Sequence, residues 1–256
     1  MIRAPTLEAL KGLRHGFLTR TGGVSEGEFA SLNCGHGSGD LEKNIRANLK
    51  RAAKNVGLSA DAITTVHQIH SKNVVEVPKP WLLHERPRAD GMVTSIPGLA
   101  LGILSADCVP VLLADVSAGV IGAAHAGWKG ALAGIVEATV AKMERLGARQ
   151  KNTVAAIGPC IRQPSYEVGS ELRDLFVSQS DENHRYFIPS ANTGNFMFDL
   201  ATFVLDSLKA AGVCLVDDTQ IDTYKDDHLF FSYRRGTHMG EENYGRNISL
   251  ITLEKA

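Results

Sequence analysis

His70, Cys108 and His125 are the side chains in this sequence best suited to ligating one metal ion. They lie in VHQIHS (66–71), SADCVP (105–110) and AAHAGWKG (123–130), each beside an apolar run that reads as a strand. Strand ends present side chains to a cleft from a rigid backbone. Imidazole and thiolate are good zinc ligands, and three protein ligands leave a fourth position for water. Zinc lowers the pKa of that water to about 7, which supplies hydroxide for hydrolytic or group-transfer chemistry. Other readings of the same residues stay open. A free cysteine usually packs, a histidine beside an apolar strand is usually a hydrogen-bonded core residue, and separations of 38 and 17 residues match no compact zinc signature. Cys108 could also act without metal, as a nucleophile with His125 as its base. His67 and His70 cannot both point to one face of a continuing strand, because side chains alternate. His70, at the expected bend, is the better ligand.

Other polar residues stand close to these segments. Asp107, next to Cys108, is a candidate proton carrier for a leaving amine, or alternatively a turn residue that orients a ligand. Arg20 in TRTGGVS and Arg235 in YRRG lie in glycine-containing segments where backbone can approach an anion, so both are candidates for holding phosphate.

The elements that must position these residues follow from periodicity. Strands are expected over 13–19, 62–69, 73–77, 91–95, 100–105, 109–114, 119–124 and 154–157, with a closing strand over 246–253. Residues 21–39, rich in Gly, Ser and Asn, read as a long loop. Helices are expected over 41–56, capped by Asp40 and stopped by Gly57, and over 128–146, 170–177 and 200–211. Several strands follow one another without helices between them. That predicts an α+β fold with mixed sheets flanked by helices, and a single domain over residues 1–256. Neither GxGxxG after a strand nor GxxxxGK[ST] occurs, so dinucleotide and P-loop sites have no support.

Bulk properties narrow the function classes. The 256 residues carry a formal net charge of -1 and are 44% hydrophobic, which suits a globular chain with a substantial core. The largest local basic group is Arg234-Arg235, so no nucleic-acid partner is expected. The N-terminal segment lacks the apolar core of a secretory signal, and no stretch approaches the ~20 apolar residues of a membrane helix. Four cysteines without a CxxC pair fit reduced thiols in the cytoplasm.

Taken together, HGFLTRTGGVS, SLNCG, VHQIHS, ADG, SADCVPVLLAD, AAHAGWKG, IGPCI, YEVG and FFSYRR resemble the YfiH-like family, in the expected order from about Gly16 to Ile251. The family is also called laccase-domain, multicopper polyphenol oxidase-type or peptidoglycan editing factor. DCVP with HAGWKG is a very specific combination. The resemblance implies zinc held by His70, Cys108 and His125, with these residues and Asp107 catalytic, and Gln68 of the VHQ segment joining Arg20 and Arg235 in substrate binding. It implies a purine nucleoside phosphorylase acting on adenosine, inosine, guanosine or methylthioadenosine with phosphate, and adenosine deaminase activity, in a monomer or small homo-oligomer. One departure is Asp222-Thr223, where many relatives carry Cys-Thr. The alternatives are a copper-dependent polyphenol oxidase and a Cys-dependent hydrolase editing peptidoglycan precursors. A true multicopper oxidase needs paired histidines, yet there is no HxH, and only nine histidines occur in all.

Overall fold

The computed structural model describes residues 1–255. Its centre is a six-stranded sheet ordered β12 (Leu215–Asp218), β8 (Val154–Ile157), β6 (Val109–Asp115), β7 (Val120–Ala126), β4 (Gly91–Thr94) and β3 (Val74–Glu76). The outer pairs β12–β8 and β3–β4 are parallel and the inner pairs antiparallel, so the sheet is mixed. A four-stranded sheet, ordered β1 (Leu13–Phe17), β13 (Asn247–Leu253), β5 (Ala100–Ser105) and β2 (Ile63–Thr64), packs on one face. Phe17, Leu101, Ile103 and Ile251 from this sheet meet Met92, Leu112, Ile121 and Ala123 from the six-stranded one.

Helices cover the remaining faces. Besides the short α1 (Pro5–Glu8), α2 (Glu42–Asn55) packs on the four-stranded sheet through Ala52. On the far side of the large sheet lie α3 (Trp128–Ala133), α4 (Ile135–Arg145), α5 (Ser170–Gln179) and α6 (Leu200–Ala210); α7 (Tyr233–Met239) is a short helix near the chain's end. With layers on both faces, every residue of β6 and β7 is buried. Both strands therefore read as near-continuous apolar runs rather than alternating ones. Each fully buried leucine in them, such as Leu112, contributes about 1.5–3 kcal/mol.

The expected α+β architecture with mixed sheets is present. Three local expectations differ. The helix expected over 128–146 is broken at Gly134, which takes φ 92° and ends α3 before α4 begins. The strand expected over 62–69 pairs as a ladder only at Ile63 and Thr64, with an isolated bridge from His67 to Arg88. Asp40 does not cap α2, whose N-cap is Leu41; its carboxylate accepts from Ser25 Oγ and Asn33 Nδ2, pinning the long loop instead. A small sheet of β10 (Phe187–Pro189), β11 (Asn195–Phe198) and β9 (Glu167–Gly169) was not expected. No helix among the described residues is long and apolar enough to cross a membrane.

Candidate metal centre

Sheet register brings the site together. Strand β6 begins where β7 ends, with Pro110 opposite His125 and Val109 opposite Ala126. Cys108 and Gly127 therefore meet at one end of the sheet. Strand β4 begins at the same end, with Gly91 opposite Ala124, and this places Asp90 behind His125. His70 comes from a strap, residues 66–71, rather than from a strand end. The Gln68 side chain holds that strap to β5: its Nε2 donates to Leu104 O at 2.7 Å and its Oε1 accepts from Leu104 N at 2.9 Å. The amide side chain thus continues the ladder where strand pairing stops.

His70, Cys108 and His125 converge, each offering one donor atom within 4.8 Å of the others. Cys108 Sγ is 3.9 Å from His70 Nε2, and the two imidazole rings meet edge to face with centroids 4.8 Å apart. Donors sharing one tetrahedral ion at about 2.0–2.3 Å sit roughly 3.5 Å apart, so the Cys108–His70 pair at 3.9 Å needs a few tenths of an ångström of tightening and the widest pair, within 4.8 Å, up to about 1.3 Å. It is the one cluster of three or more His, Cys, Asp or Glu ligands found among the described residues. The donor set of two imidazoles and one thiolate is also that of a blue-copper centre.

Asp90 organises the cluster, and sequence reasoning assigned it no role. Its carboxylate is fully buried and accepts the backbone N–H groups of Ile69, His70 and Ser71, the Ser71 hydroxyl, and His125 Nδ1 at 3.0 Å. Burial opposes its ionisation, but the His125 and Ser71 hydrogen bonds outweigh this and hold its pKa down at about 2. The anion fixes Nδ1 as the protonated nitrogen of His125, leaving Nε2 free for a ligand. It also folds the strap that carries His70, which lies at φ 58°. Burial pushes the Cys108 thiol up, but the neighbouring imidazoles, His125 above all, bring its pKa down to about 6. For His125, burial works against protonation, and the Cys108 thiolate and Asp90 reverse this and raise its pKa. Gly127 is required by space: a Cβ there would lie 2.8 Å from His70 Cδ2 and 2.9 Å from Cys108 Sγ.

The other expected site residues have partners within the fold, and Asp107 also lines the cleft beside Cys108. Asp107, buried and at φ 86°, accepts from Thr223 Oγ1, Ser232 Oγ and Arg234 N. It ties the Cys108 turn to the 223–234 segment. Burial raises its pKa against those hydrogen bonds. Arg20 donates to Ala30 O and Asp227 O and lies 4.3 Å over the Phe231 ring. Arg235 donates to the carbonyls of Thr223, Tyr224 and Phe230. Both guanidinium groups tie loops together through these carbonyls.

Two cavities flank the cluster. A cleft of about 650 Å³ is lined by Trp128, Tyr166, Tyr233, Tyr244, Lys129 and Arg234, together with His70 and Cys108. A chamber of about 300 Å³ reaches His70, Cys108 and His125 from another side. Trp128, Tyr166 and Tyr233 fall in the motifs quoted above, but nothing local marks them or Tyr244 as walls of one cleft, because they are scattered over more than a hundred positions.

Residues 14–254 match the family described as multi-copper polyphenol oxidoreductase laccase. The chain belongs to that family, the YfiH-like proteins. A protein from Neisseria meningitidis assigned to DUF152 superposes with a TM-score of 0.86 at 33% identity, covering 96% of each chain. The hypothetical protein YfiH of Bacillus licheniformis superposes with a TM-score of 0.87 at 28% identity, covering 96% of this chain and 95% of that one. A Pseudomonas aeruginosa relative named purine nucleoside phosphorylase is 37% identical over 236 residues, 92% of this chain and 91% of its own.

These findings correct the expectation of a zinc-dependent purine nucleoside phosphorylase and adenosine deaminase taking nucleoside and phosphate. The family matched is described as a copper oxidoreductase, and the superposed structures are those of a DUF152 protein and of YfiH. The side chains on which that chemistry was built point the same way. Arg20 and Arg235 are bound to carbonyls, and Asp107 is bound to hydroxyls and an amide. The cofactor expectation moves with it, from zinc to copper.

Proposed function

We propose that His70, Cys108 and His125 hold one copper ion and that the protein is a laccase-type oxidase of phenols or similar electron-rich aromatics. The observation that carries this reading is a His–Cys–His donor set, two members of which, His70 and Cys108, line a cleft shared with Trp128, Tyr166, Tyr233 and Tyr244, in a chain of the laccase family. Copper bound there would supply one-electron redox chemistry. The aromatic walls would stack a phenol ring, and Asp90 would orient the His125 imidazole and hold the backbone that carries His70. With one three-ligand cluster among the described residues, four-electron reduction of dioxygen to water has no multinuclear site to support it. The balanced reaction is therefore two phenols plus one dioxygen giving two phenoxyl radicals and one hydrogen peroxide. Residues 1–256 would act as one unit, in the cytoplasm, where Cys108 stays reduced.

The test is to measure metal content, visible absorption, and oxygen uptake with a simple phenol on copper-loaded protein. A strong thiolate-to-copper band that is lost in Cys108→Ser, with one peroxide formed per two phenols, is expected. A protein that cannot be loaded with stoichiometric copper would overturn the reading.

One arrangement favours a second reading. Cys108, His125 and Asp90 line up as nucleophile, base and orienting carboxylate, with the thiol pKa near 6. A metal-free, Cys108-dependent hydrolase is the function they would serve. Turnover of activated esters that survives chelator treatment and is abolished in Cys108→Ala would select it.

A further inference from the structure

Asp107 joins the turn that carries Cys108 to the far wall of the aromatic cleft. It sits at φ 86°, a backbone region that Asn and Gly also adopt. Its Oδ2 accepts from Ser232 Oγ at 2.9 Å and from Arg234 N at 2.7 Å, and its Oδ1 accepts from Thr223 Oγ1 at 2.7 Å. Two of these donors belong to the start of α7, whose Tyr233 and Arg234 line the cleft. That helix has seven residues and buries only Gly236, so neither its length nor apolar packing fixes its place. Polar tethers do. Ser232 Oγ caps it by accepting from Arg235 N at 3.1 Å. Arg234 Nη1 donates to Glu167 O at 2.6 Å, with its guanidinium 5.3 Å over the Tyr166 ring. Tyr233 meets Tyr244 edge to face, with centroids 5.1 Å apart. Among these tethers, Asp107 is the one that adjoins a candidate metal ligand.

The Cys108 turn has other supports. The Asp107 carbonyl accepts from Ile161 N at 2.9 Å, and Val109 is already in the ladder opposite Ala126. The three side-chain bonds of Asp107 therefore act outward, on the wall. We infer that Asp107 is a positioning residue that sets Tyr233 and Tyr244 against Cys108, and so fixes where an aromatic ring lies beside the candidate metal centre. This role needs hydrogen-bond geometry and no proton transfer. An asparagine can fill it: its oxygen accepts from Ser232 and Arg234, and its amide donates to the Thr223 hydroxyl, which turns to accept. A glycine suits the backbone at φ 86° but provides no tether. The inference rests on the proposed function only in taking the cleft as the place where an aromatic substrate binds.

The experiment is equilibrium dialysis of naphthol against the full chain as isolated, with metal content measured on the same samples. Iodoacetamide labelling of Cys108 after chelation, read by mass spectrometry, reports the turn itself. The parent should bind naphthol saturably. Asp107→Gly should weaken binding at least about ten-fold, the scale of one lost charge-assisted hydrogen bond. Asp107→Asn should stay within about three-fold of the parent, since it keeps the bonds. Metal content and Cys108 labelling should be alike in all three. If the glycine variant does not fold, Ser232→Ala removes one tether and the α7 cap, and should weaken naphthol binding about three-fold or more. Affinity unchanged in Asp107→Gly, or in Ser232→Ala where that variant stands in, overturns the inference. So does an asparagine variant as weak as the glycine one, which would make the charge the active feature. Loss of metal or altered Cys108 labelling in step with ring binding would make Asp107 a support of the turn and also overturn it, as would a parent that binds no naphthol. The oxidase reading fails on a different result, the inability to load copper, because ring binding here is read without turnover.

Discussion

Nδ1 of His125 stands 3.0 Å from the buried carboxylate of Asp90, and the same carboxylate accepts the amide of His70. One residue therefore orients two of the three candidate ligands, although it touches no open space itself.

Asp90→Asn should weaken this centre more than any change in the surrounding cleft. An amide can accept from His125 or from the strap, but it cannot provide two anionic oxygens to five donors. Loss of such a supporting carboxylate typically lowers metal affinity about 10–100-fold. Chelator competition on parent and variant would measure it. Equal affinities would show that the strap and His125 hold position without Asp90.

Gly127→Ala should damage the centre while sparing the core. The added methyl would sit 2.8 Å from His70 Cδ2 and 2.9 Å from Cys108 Sγ, closer than real Cβ contacts come. His70 is exposed and the more easily displaced of the two. At least about ten-fold weaker metal binding, with a melting temperature within a few degrees of the parent, is expected from a local clash of this kind. Metal titration paired with thermal unfolding decides it.

Arg235→Ala should act on stability. Its guanidinium bridges Thr223, Tyr224 and Phe230 through their carbonyls, and the same segment carries Thr223, whose hydroxyl holds Asp107. Each charge-assisted hydrogen bond is worth about 1.5–3 kcal/mol, so urea denaturation should show a loss of at least that size. An unchanged midpoint would free Arg235 for a binding role.

The legibility of this fold in its sequence follows from what kind of contact each residue makes. Cys108 and His125 could be read because reactive residue types end apolar runs, and those runs are buried strands. Asp90 could not, since Asp-Gly before a strand is an ordinary turn signal and its five donors come from residues 69–71 and from residue 125. Gln68 was placed with substrate by its neighbours in sequence, yet it serves as a strand surrogate against Leu104. The break at Gly134 was hidden by apolar periodicity that runs on through α4. Arg20 and Arg235 looked free because nothing local partners them; their carbonyl acceptors arrive mainly through tertiary folding.

His15 gives the fold a built-in acid sensitivity. Its ring is 3% exposed, and Nε2 accepts the Ala4 amide at 2.9 Å, a role only the neutral ring can fill. Burial lowers its pKa from 6.5 to about 4; Arg3 adds to this, and Glu8 and Asp217 oppose it. Above pH 6.5 the ring is neutral in folded and unfolded chains alike, and its contribution is fully present. As pH falls from 6.5 towards 4, only the unfolded chain takes up the proton, so stability drops through that window and the contribution is gone below it. The total is on the order of 3 kcal/mol. His15→Gln retains an acceptor without the titration, so its urea midpoint should fall less steeply between pH 6.5 and 4 than the parent's. Parallel slopes for the two proteins would show that His15 is free to protonate in the folded state and that α1 does not depend on it.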